Sequence, residues 1–405
     1  MYLILAWRNM WRSRRRTAIT VSSIFFAVLF AILMRTLALG VMEKMIDDTA
    51  SLTGGYLQIH HKGYWDNKTP DSSFAQDPAL TAILQRDPSI SAWAPRLESF
   101  ALASSGNRTR GIMVTGIDPR RENTVSRLAG KIVAGRYLSG PDKGIMLTEG
   151  LAGYLKLGLG DTVVLLGNGY EGGMAAGKYR IEAIVRTGIP QADKSMAWLP
   201  MQADQDLLGT GPRYTSITIM TADRARLESI QKDILRQTSG RDYEVMTWQE
   251  MMPELDQYFR GKMAQNAIVS GILYLVIAFG LFGTILMMLN ERKHEFGILV
   301  AIGMKKYLLS LLVMLELVLM SLVGAVLGII AAFPLVYFFK LHPIGLRGNV
   351  AQMMERFNMQ PVIVPSTDPS HFLLQGYIVL IIALVLSLFV PYTIHKLKVI
   401  QAINS

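Results

Sequence analysis

Four long apolar runs, separated by polar stretches, dominate the pattern of hydrophobic positions along the chain. The pattern predicts membrane-spanning helices at residues 17–40, 263–290, 307–339 and 371–394. Each run reaches the roughly 20 residues that a helix needs to cross about 30 Å of hydrocarbon. The fold class expected from the sequence is therefore a membrane α-helical protein with four transmembrane helices.

The longest polar stretch, residues 41–262, lies between the first two predicted spans. Its strand-like and helix-like runs are 56–60, 78–85, 111–117, 161–166, 179–185 and 224–237. This mixture predicts an α/β (α+β) domain inserted between helices 1 and 2. Thr247 followed by Glu250 is a capping box, which predicts a stalk helix that continues into the second span.

The net charge of +10 is concentrated beside the predicted spans. Basic residues flank the first and last spans, namely Arg8, Arg12, Arg14, Arg15, Arg16, Lys396 and Lys398. Since positively charged flanks stay in the cytoplasm, both termini are expected inside and the inserted domain is expected on the outer, periplasmic side. This orientation accounts for the basic clusters, so no nucleic-acid partner is expected.

Shorter segments complete the predicted organisation. Residues 1–16 are expected to form a cytoplasmic interfacial helix, because Leu3, Trp7 and Trp11 recur at helical spacing beside arginines. A cleaved signal peptide is the alternative, but the apolar run that follows favours an uncleaved helix. The remaining segments are a cytoplasmic turn at 291–306, a periplasmic loop at 340–370 and a cytoplasmic tail at 395–405.

No motif for an enzyme occurs in the sequence. It has no cysteine, which excludes disulfides and thiol chemistry, and neither His-Glu-x-x-His nor Gly-x-Ser-x-Gly occurs. His60 and His61 are neighbours on a predicted strand and point to opposite faces, a poor arrangement for one metal ion. Residues 172–178 have the spacing of a phosphate loop, but Tyr179 stands where a Ser or Thr must bind magnesium. A flexible glycine-rich loop is expected there instead, and no catalytic or metal-binding residue is predicted.

The cytoplasmic turn at 291–306 carries the most informative pattern. Folded as a helix, it places four residues on one apolar side and charged residues elsewhere; the four are Phe296, Leu299, Val300 and Gly303. This side could insert into a groove on a cytoplasmic partner, as amphipathic helices do. An interfacial helix that only connects two spans is the alternative, and the periodicity supports both equally.

The same turn reads Glu-Arg-x-x-Glu-x-Gly-Ile-Leu-x-Ala-Ile-Gly from Glu291 to Gly303. Weaker matches to one family occur at 6–12, 116–119, 157–163 and 397–402. Through these motifs the chain resembles the ABC-transporter permeases related to the lipoprotein-releasing (LolC/LolE), macrolide-exporting (MacB) and FtsX proteins. The resemblance covers nearly the whole chain and implies the type VII mechanotransmission fold of that superfamily.

The resemblance implies that ATP is hydrolysed elsewhere. The turn would be a coupling helix seated on a separate ABC ATPase subunit, present in two copies, which binds ATP and Mg while this chain binds no cofactor. The implied ATPase-coupling residues are Glu291, Arg292, Glu295, Gly297, Ile298, Ala301 and Gly303. Phe296 and Val300 depart from the commoner family pattern, which bears on the identity of the ATPase. The other implied partners are a second permease, identical or homologous, and a periplasmic lipoprotein carrier or adaptor.

The expected function is that of a permease subunit in the bacterial inner membrane, where ATP-driven movement of the periplasmic domain extracts lipoproteins for sorting to the outer membrane. Four spans, one outer domain and no fused ATPase favour this branch of the family. Tripartite efflux or export of drugs, peptides or other amphiphiles is an alternative. Mechanical signalling to a cell-wall hydrolase without transport is another. No substrate-binding residue is predicted.

Residues of the third span and a group of methionines complete the candidates. Glu316 is expected near the inner end of its helix, reaching toward Lys305 or Lys306. Gly324 and Gly328 form a small-xxx-small face for helix packing, within the chain or between two copies. Methionines either line an adaptable site for apolar substrates or fill an ordinary core. They include Met251, Met252, Met353, Met354 and Met359.

Overall fold

The computed structural model describes residues 2–12, 14–140, 142–349, 351 and 362–396. The chain forms two compact units. One, called the membrane unit, contains Met1–Glu43, Phe259–Gly345 and Val362–Ser405, and the other, called the inserted domain, contains Lys44–Tyr258 and Leu346–Pro361. Several expectations lie outside the described residues, namely those on Met353, Met354, Met359, Lys398, the motif at 397–402, and parts of the 340–370 loop and the 395–405 tail.

The helices and strands are numbered in chain order. The helices are α1 (Tyr2–Arg12), α2 (Arg14–Leu52), α3 (Pro78–Arg86), α4 (Pro119–Ser126), α5 (Glu149–Leu155), α6 (Ala192–Ser195), α7 (Met201–Leu208), α8 (Leu227–Gln237), α9 (Trp248–Met251), α10 (Pro253–Glu291), α11 (Lys293–Ala301), α12 (Lys306–Leu341), α13 (Pro369–Ser387) and α14 (Phe389–His395). The strands are β1 (Leu57–His61), β2 (Phe74–Ala75), β3 (Ile90–Ser105), β4 (Arg108–Ile117), β5 (Ile132–Gly135), β6 (Ile145–Thr148), β7 (Thr162–Asn168), β8 (Met174–Val185), β9 (Met196–Pro200), β10 (Arg213–Tyr214), β11 (Ser216–Thr221), β12 (Tyr243–Thr247), β13 (Ile344–Gly345) and β14 (Val362–Ile363).

Within the residues that the structure describes, four helical segments are long and apolar enough to cross a bilayer. They are Thr17–Leu52, Pro253–Glu291, Lys306–Leu341 and Pro369–His395. Each of them contains one of the four predicted spans and extends beyond it. The prediction of four transmembrane helices is therefore confirmed.

Close packing between α2 and α12 depends on two glycines. A Cβ atom added to Gly324 would lie 2.8 Å from the Cβ of Ile24, and one added to Gly328 would lie 2.9 Å from the Cβ of Val28. The two helices therefore approach more closely than larger residues at these positions would allow. Of the two roles expected for these glycines, the described contacts correspond to packing within one chain.

The N-terminal helix α1 contributes to the interior of the membrane unit. Met10 is buried in a cluster that includes Met288 of α10, Leu309 and Val313 of α12, and Ile394 of α14. Other apolar residues of α1 are exposed, among them Ile4, Trp7 and Trp11. The helix is therefore amphipathic. One side packs against other helices of the membrane unit, and the other side is exposed.

A mixed sheet of ten strands forms the frame of the inserted domain as the structure describes it. The strand order is β12-β1-β11-β3-β4-β9-β6-β8-β5, and β7 pairs with both β3 and β8. The pairs β4–β9 and β6–β8 are parallel, and the other pairs are antiparallel. Together with the helices between the strands, this sheet confirms the predicted α/β (α+β) domain between the first and second spans.

The predicted stalk helix is divided into two helices. The capping box is present, because the backbone amide of Thr247 donates to the Glu250 carboxylate at 2.6 Å and the Glu250 amide donates to Oγ1 of Thr247 at 3.4 Å. The helix that it opens, α9, ends at Met251, and α10 begins anew at Pro253. Proline lacks an amide hydrogen and disfavours helical geometry in the residue before it, so Met252 interrupts the predicted helix.

The segment with phosphate-loop spacing is mostly a strand. Residues Met174 to Lys178 belong to β8 and pair with β7, whereas Gly172 and Gly173 belong to the turn before it. The expected flexible loop is therefore shorter than the sequence indicated. Its glycine-rich composition reflects a tight connection between two paired strands.

A buried arginine joins β3 to the end of α2 within the inserted domain. Arg96 donates to the backbone carbonyl oxygens of Ser51 at 2.9 Å and Leu52 at 3.2 Å, and also to that of Thr53. It forms an ion pair of 2.7 Å with the buried Glu122 of α4. The last carbonyls of a helix lack partners within the helix and carry the negative end of its dipole. Arg96 therefore caps α2 from the sheet.

The inserted domain contains a second buried ionisable residue, Asp204 of α7. Its side chain is completely buried, and a Cβ on Gly116 of β4 would lie 2.7 Å from its carboxyl oxygen. Burial raises the pKa of Asp204 to about 8, against a smaller lowering by the backbone of Gly116. The carboxyl group is therefore mostly protonated near neutral pH.

Candidate functional site

The turn that joins α10 to α12 contains the expected coupling residues. Its helix, α11, ends at Ala301, and Gly303 follows with a φ of +105°. The amide of Met304 donates to the carbonyl oxygen of Leu299 at 3.0 Å, across this glycine. A glycine with positive φ is typical of a helix end, because other residues are strained there. Gly303 therefore shapes the turn.

A buried ion pair fixes the beginning of the turn. The guanidinium of Arg292 donates to the Glu316 carboxylate of α12 at 2.6 Å, and both side chains are almost fully buried. Asn9 of α1 donates to the same carboxylate oxygen at 2.9 Å. Hydrogen bonds to a charged group are stronger than those between neutral groups. Glu316 therefore connects three segments of the membrane unit.

Glu295 forms a second and more exposed set of contacts on the turn. Its carboxylate accepts a hydrogen bond from Arg12 of α1 at 2.6 Å and another from Arg292 at 3.1 Å. Partial burial raises the pKa of Glu295, but the hydrogen bonds and charges of Arg292 and Arg12 outweigh it and lower the pKa overall. The carboxylate therefore stays charged at neutral pH and joins α1 to the turn.

The apolar side of α11 packs against the chain itself. Phe296 is 1% exposed and lies in a cluster with Ile285 and Leu309, and Leu299 and Val300 pack against the same cluster. Of the four residues expected on this side, Phe296 is covered by the chain itself and Leu299 and Val300 are half-buried, whereas Gly303 is exposed, so the expected partner-facing side is divided between an inner and an outer edge. A pattern of apolar positions shows that a helix face is buried but does not show what covers it. Both departures from the family pattern, Phe296 and Val300, lie on this inner side.

The opposite edge of the turn is exposed and partly apolar. Ile302 is 80% exposed and Ile298 is 40% exposed. Of the seven expected coupling residues, Glu291, Ile298, Ala301 and Gly303 are exposed, Glu295 is half-buried, and Arg292 and Gly297 are buried. We call the exposed set Ile298, Ala301, Ile302 and Gly303 the outer edge. Ile302 is not among the coupling residues predicted from the sequence, although an isoleucine next to a helix-ending glycine is a usable signal.

The partners expected for Glu316 were Lys305 or Lys306. The described hydrogen bonds to its completely buried carboxylate come instead from Arg292 and Asn9. Lys306 donates a hydrogen bond to the carbonyl oxygen of His395 at 2.9 Å. Arg292, expected as a contact for the ATPase, is therefore an internal group that holds the turn in place.

No group of three or more His, Asp or Glu side chains able to hold a metal ion occurs in the part of the chain that the structure describes. His60 is buried, and burial lowers its pKa despite a backbone hydrogen bond to His61 and the nearby Glu244 carboxylate. The two histidines have ring contacts to separate carbonyl oxygens, those of His61 and Lys62.

Several characterised proteins are similar to this chain in sequence. The lipoprotein-releasing system transmembrane protein LolC of Xylella fastidiosa is 25% identical over 266 residues, which is 63% of this chain and 63% of LolC. LolE of Haemophilus influenzae is 24% identical over 70% of this chain and 66% of LolE. The macrolide export ATP-binding/permease protein MacB of Burkholderia thailandensis is 19% identical over 83% of this chain and 52% of MacB. The chain thus spans less than two thirds of the LolC protein that it matches.

The chain also matches one solved periplasmic domain and two protein families. The periplasmic region of MacB from Actinobacillus actinomycetemcomitans aligns with 50% of this chain and 92% of that region, with 16% identity and a TM-score of 0.35. Residues 267–399 match the FtsX-like permease C-terminal family. Residues 17–237, more than half of the chain, match the family of MacB-like periplasmic core domains. The chain therefore belongs to the FtsX-like permeases that carry a MacB-like periplasmic core domain between their first two transmembrane helices.

Proposed function

We propose that the chain is the permease subunit of an ABC transporter in a bacterial inner membrane. Both termini lie in the cytoplasm, and the inserted domain lies in the periplasm. ATP and Mg bind to a separate ATPase subunit, present in two copies, and this chain binds no cofactor. The permease works with a second permease, identical or homologous, and hands its substrate to a periplasmic carrier or adaptor.

The outer edge of the turn is the observation that carries this proposal. Its apolar residues Ile298 and Ile302 are exposed, while Arg292, Phe296 and Glu295 hold the other sides of the turn to the membrane unit. A rigid element with one exposed apolar edge suits the contact with a partner protein. The exposed Arg8, Arg12, Arg14 and Arg15 of the N-terminal segment, of which Arg12 contacts the turn through Glu295, support a cytoplasmic location.

A force that the ATPase exerts on the turn is transmitted to the membrane unit through two contacts. Arg292 passes it to α12 through Glu316, and Glu295 passes it to α1 through Arg12. Charge-assisted hydrogen bonds near 2.6 Å resist separation, so the three segments move together. The helices α2 and α10 each begin in one unit and end in the other, and they carry the movement to the inserted domain.

Lipoproteins extracted from the outer leaflet of the inner membrane are the proposed substrates. The names of the LolC and LolE relatives support this choice. Export of a drug, peptide or other amphiphile is the second candidate. The match to MacB proteins over 83% of this chain favours that alternative.

Reconstitution with the ATPase encoded beside this chain tests the proposal. We expect the two proteins to copurify and hydrolysis to increase with an acylated lipoprotein, but not with the same protein lacking acyl chains. An equal response to both forms rules out lipoprotein extraction. An increase with a macrolide alone would favour the second candidate. Failure to copurify with any ATPase would overturn the permease assignment as a whole.

A further inference from the structure

One face of the sheet in the inserted domain exposes apolar side chains. Leu102 of β3 lies opposite Leu166 of β7, and Phe100 of β3 lies opposite Met113 of β4. Phe100 is 58% exposed, and Leu102 and Leu166 are also exposed. A sheet face turned to solvent normally carries polar residues. These four residues therefore form a contiguous apolar floor that water covers in the isolated chain.

This floor is the base of a cavity of about 990 Å³. One wall is the end of α2, with Thr49 and Leu52, and another is the segment from Ile189 to Met196. No residue that lines the cavity carries a charge. The volume lies at the upper end of the range for sites that hold small organic ligands. The lining therefore suits an uncharged apolar ligand of considerable size.

A second cavity, of about 560 Å³, shares two lining residues with the first, Thr49 and Ile189. Its other lining residues include Met45, Met251 and Tyr258, and one acidic residue, Glu254. The two cavities are therefore neighbours along the same side of α2. In sequence, Met45 and Tyr258 are close to the points where the chain passes between the inserted domain and the membrane unit.

We propose that the two cavities together bind the long acyl chains of a lipid-modified protein. This inference rests on the proposed function and assigns it a substrate-binding site in the inserted domain. A flexible aliphatic chain can pass from one cavity to the other between Thr49 and Ile189. A rigid ring compound would occupy only one of them. The acyl chains enter by the cavity at Tyr258 and reach the floor at Leu102.

The chemistry of the lining supports this ligand. Methionine side chains adapt to flexible ligands, and both cavities contain them, including Met113, Met174 and Met196 in the first and Met251 and Met252 in the second. Burial of aliphatic chains is driven by the removal of apolar surface from water and needs no charged partner. Of the two roles expected for the methionines, Met251 is buried as in an ordinary core, whereas Met252 is half-buried and lines the second cavity.

The absence of cysteine makes a site-specific reporter possible. We would label Leu102→Cys with an environment-sensitive fluorophore in the full chain, held in amphipol, and label Leu235→Cys as the matched control. Leu235 is an exposed leucine of α8 outside both cavities. The probes are a synthetic tripalmitoylated lipopeptide, the same peptide without acyl chains, a dipalmitoyl phospholipid and erythromycin. We expect a saturable blue shift at position 102 with the lipopeptide, a smaller one with the phospholipid, which has two acyl chains instead of three, and none with the unacylated peptide or erythromycin.

Two substitutions test the floor directly, with binding of the fluorescent lipopeptide as the measurement. Leu102→Glu places a charge on the floor and should weaken binding at least about tenfold, whereas Leu235→Glu should change it less than about twofold. Leu166→Gln, a milder change, should weaken binding as well. Near-identical melting curves for all variants would show that the domain remains folded.

Several results would overturn the inference. They are a saturable shift at both labelled positions, an equal shift with the phospholipid, binding of erythromycin in place of the lipopeptide, or unchanged binding by Leu102→Glu and Leu166→Gln. The proposed function is tested separately by hydrolysis with the ATPase. If acylated lipoprotein stimulates hydrolysis while the floor variants bind normally, only the site is wrong. If the site binds lipopeptide but hydrolysis never responds, only the function is wrong.

Discussion

The guanidinium of Arg292 lies 2.6 Å from the carboxylate of Glu316, and both groups are buried in the membrane unit. An arginine in a polar turn is expected at the surface, yet the side chain of Arg292 is buried. Its pairing allows Glu316 to lie within an apolar helix, because an ionised carboxylate without a partner is costly there. The pair fixes the turn to α12.

Removing the cation of this pair should destabilise the protein strongly. Arg292→Met leaves the Glu316 carboxylate buried without its guanidinium partner, which costs about 3–5 kcal/mol in comparable buried pairs. We expect a clear fall in the melting temperature of the purified chain in detergent. The control is Lys293→Met, since Lys293 is exposed in the same turn. If the two variants melt alike, the pair is not important for stability.

The double variant Arg292→Met, Glu316→Met extends this test. It removes both charges and leaves only the half-buried Asn9 amide without its acceptor, so part of the lost stability should return. The interaction free energy follows from the four melting curves of the cycle. Additive losses in the two single variants would contradict the direct coupling of these residues.

The outer edge of the turn should be needed for contact with the ATPase. Ile302→Glu introduces a charge at an exposed apolar position, so the fold should be retained while ATPase binding weakens about tenfold or more. The measurement is copurification and substrate-stimulated hydrolysis, with Ile302→Leu as control. Gly297 is a poorer position for this test, because it is buried and a charge there would disturb the turn itself. Normal coupling by Ile302→Glu would exclude this edge as the contact.

The buried carboxyl of Asp204 should make stability depend on pH. Its folded pKa of about 8 lies above the ordinary aspartate pKa of 3.8, so the folded state binds more protons between these values. Its contribution to stability is therefore complete below about pH 4 and is lost as the pH rises through about 8. Melting temperatures of the full chain between pH 5 and pH 9 measure this effect.

Asp204→Asn should flatten that pH dependence. The amide cannot ionise, so the variant should exceed the unsubstituted protein in stability by about 1–3 kcal/mol at pH 9. Asp206→Asn is the matched control, because Asp206 is an exposed residue of the same helix. An unchanged pH profile in Asp204→Asn would show that another group causes the dependence.

Substitution by alanine should lower the stability at Gly328 of the third span and raise it at Gly280 of the second span. Gly328→Ala would place a Cβ 2.9 Å from the Cβ of Val28, so we expect a loss of about 1–3 kcal/mol. Gly280→Ala meets no atom within 4 Å and should gain up to about 1 kcal/mol from helix propensity. Thermal unfolding of both variants measures the difference. A gain in both would show that α2 and α12 have room to separate.

The sequence predicted the elements better than their partners. The four spans and the strands around Leu57, Val114 and Val163 follow from local periodicity, and the structure contains them. The partner of Glu316 did not follow, because Asn9 is more than 300 positions away in the chain and no local pattern relates the two. The apolar side of α11 was identified, but its burial by the chain itself was not. Periodicity describes one helix at a time and carries no information about which surface covers it.

The capping of α2 by Arg96 has a mechanical consequence. Three consecutive carbonyl oxygens at the end of the helix are held in parallel by one side chain, which Glu122 holds from the other side. An axial pull on the last turn is shared among these bonds, so none of them breaks before the others are stretched. A tension along α2 is therefore transmitted directly to β3. The connection between α2 and β3 should break only when Arg96 and Glu122 separate.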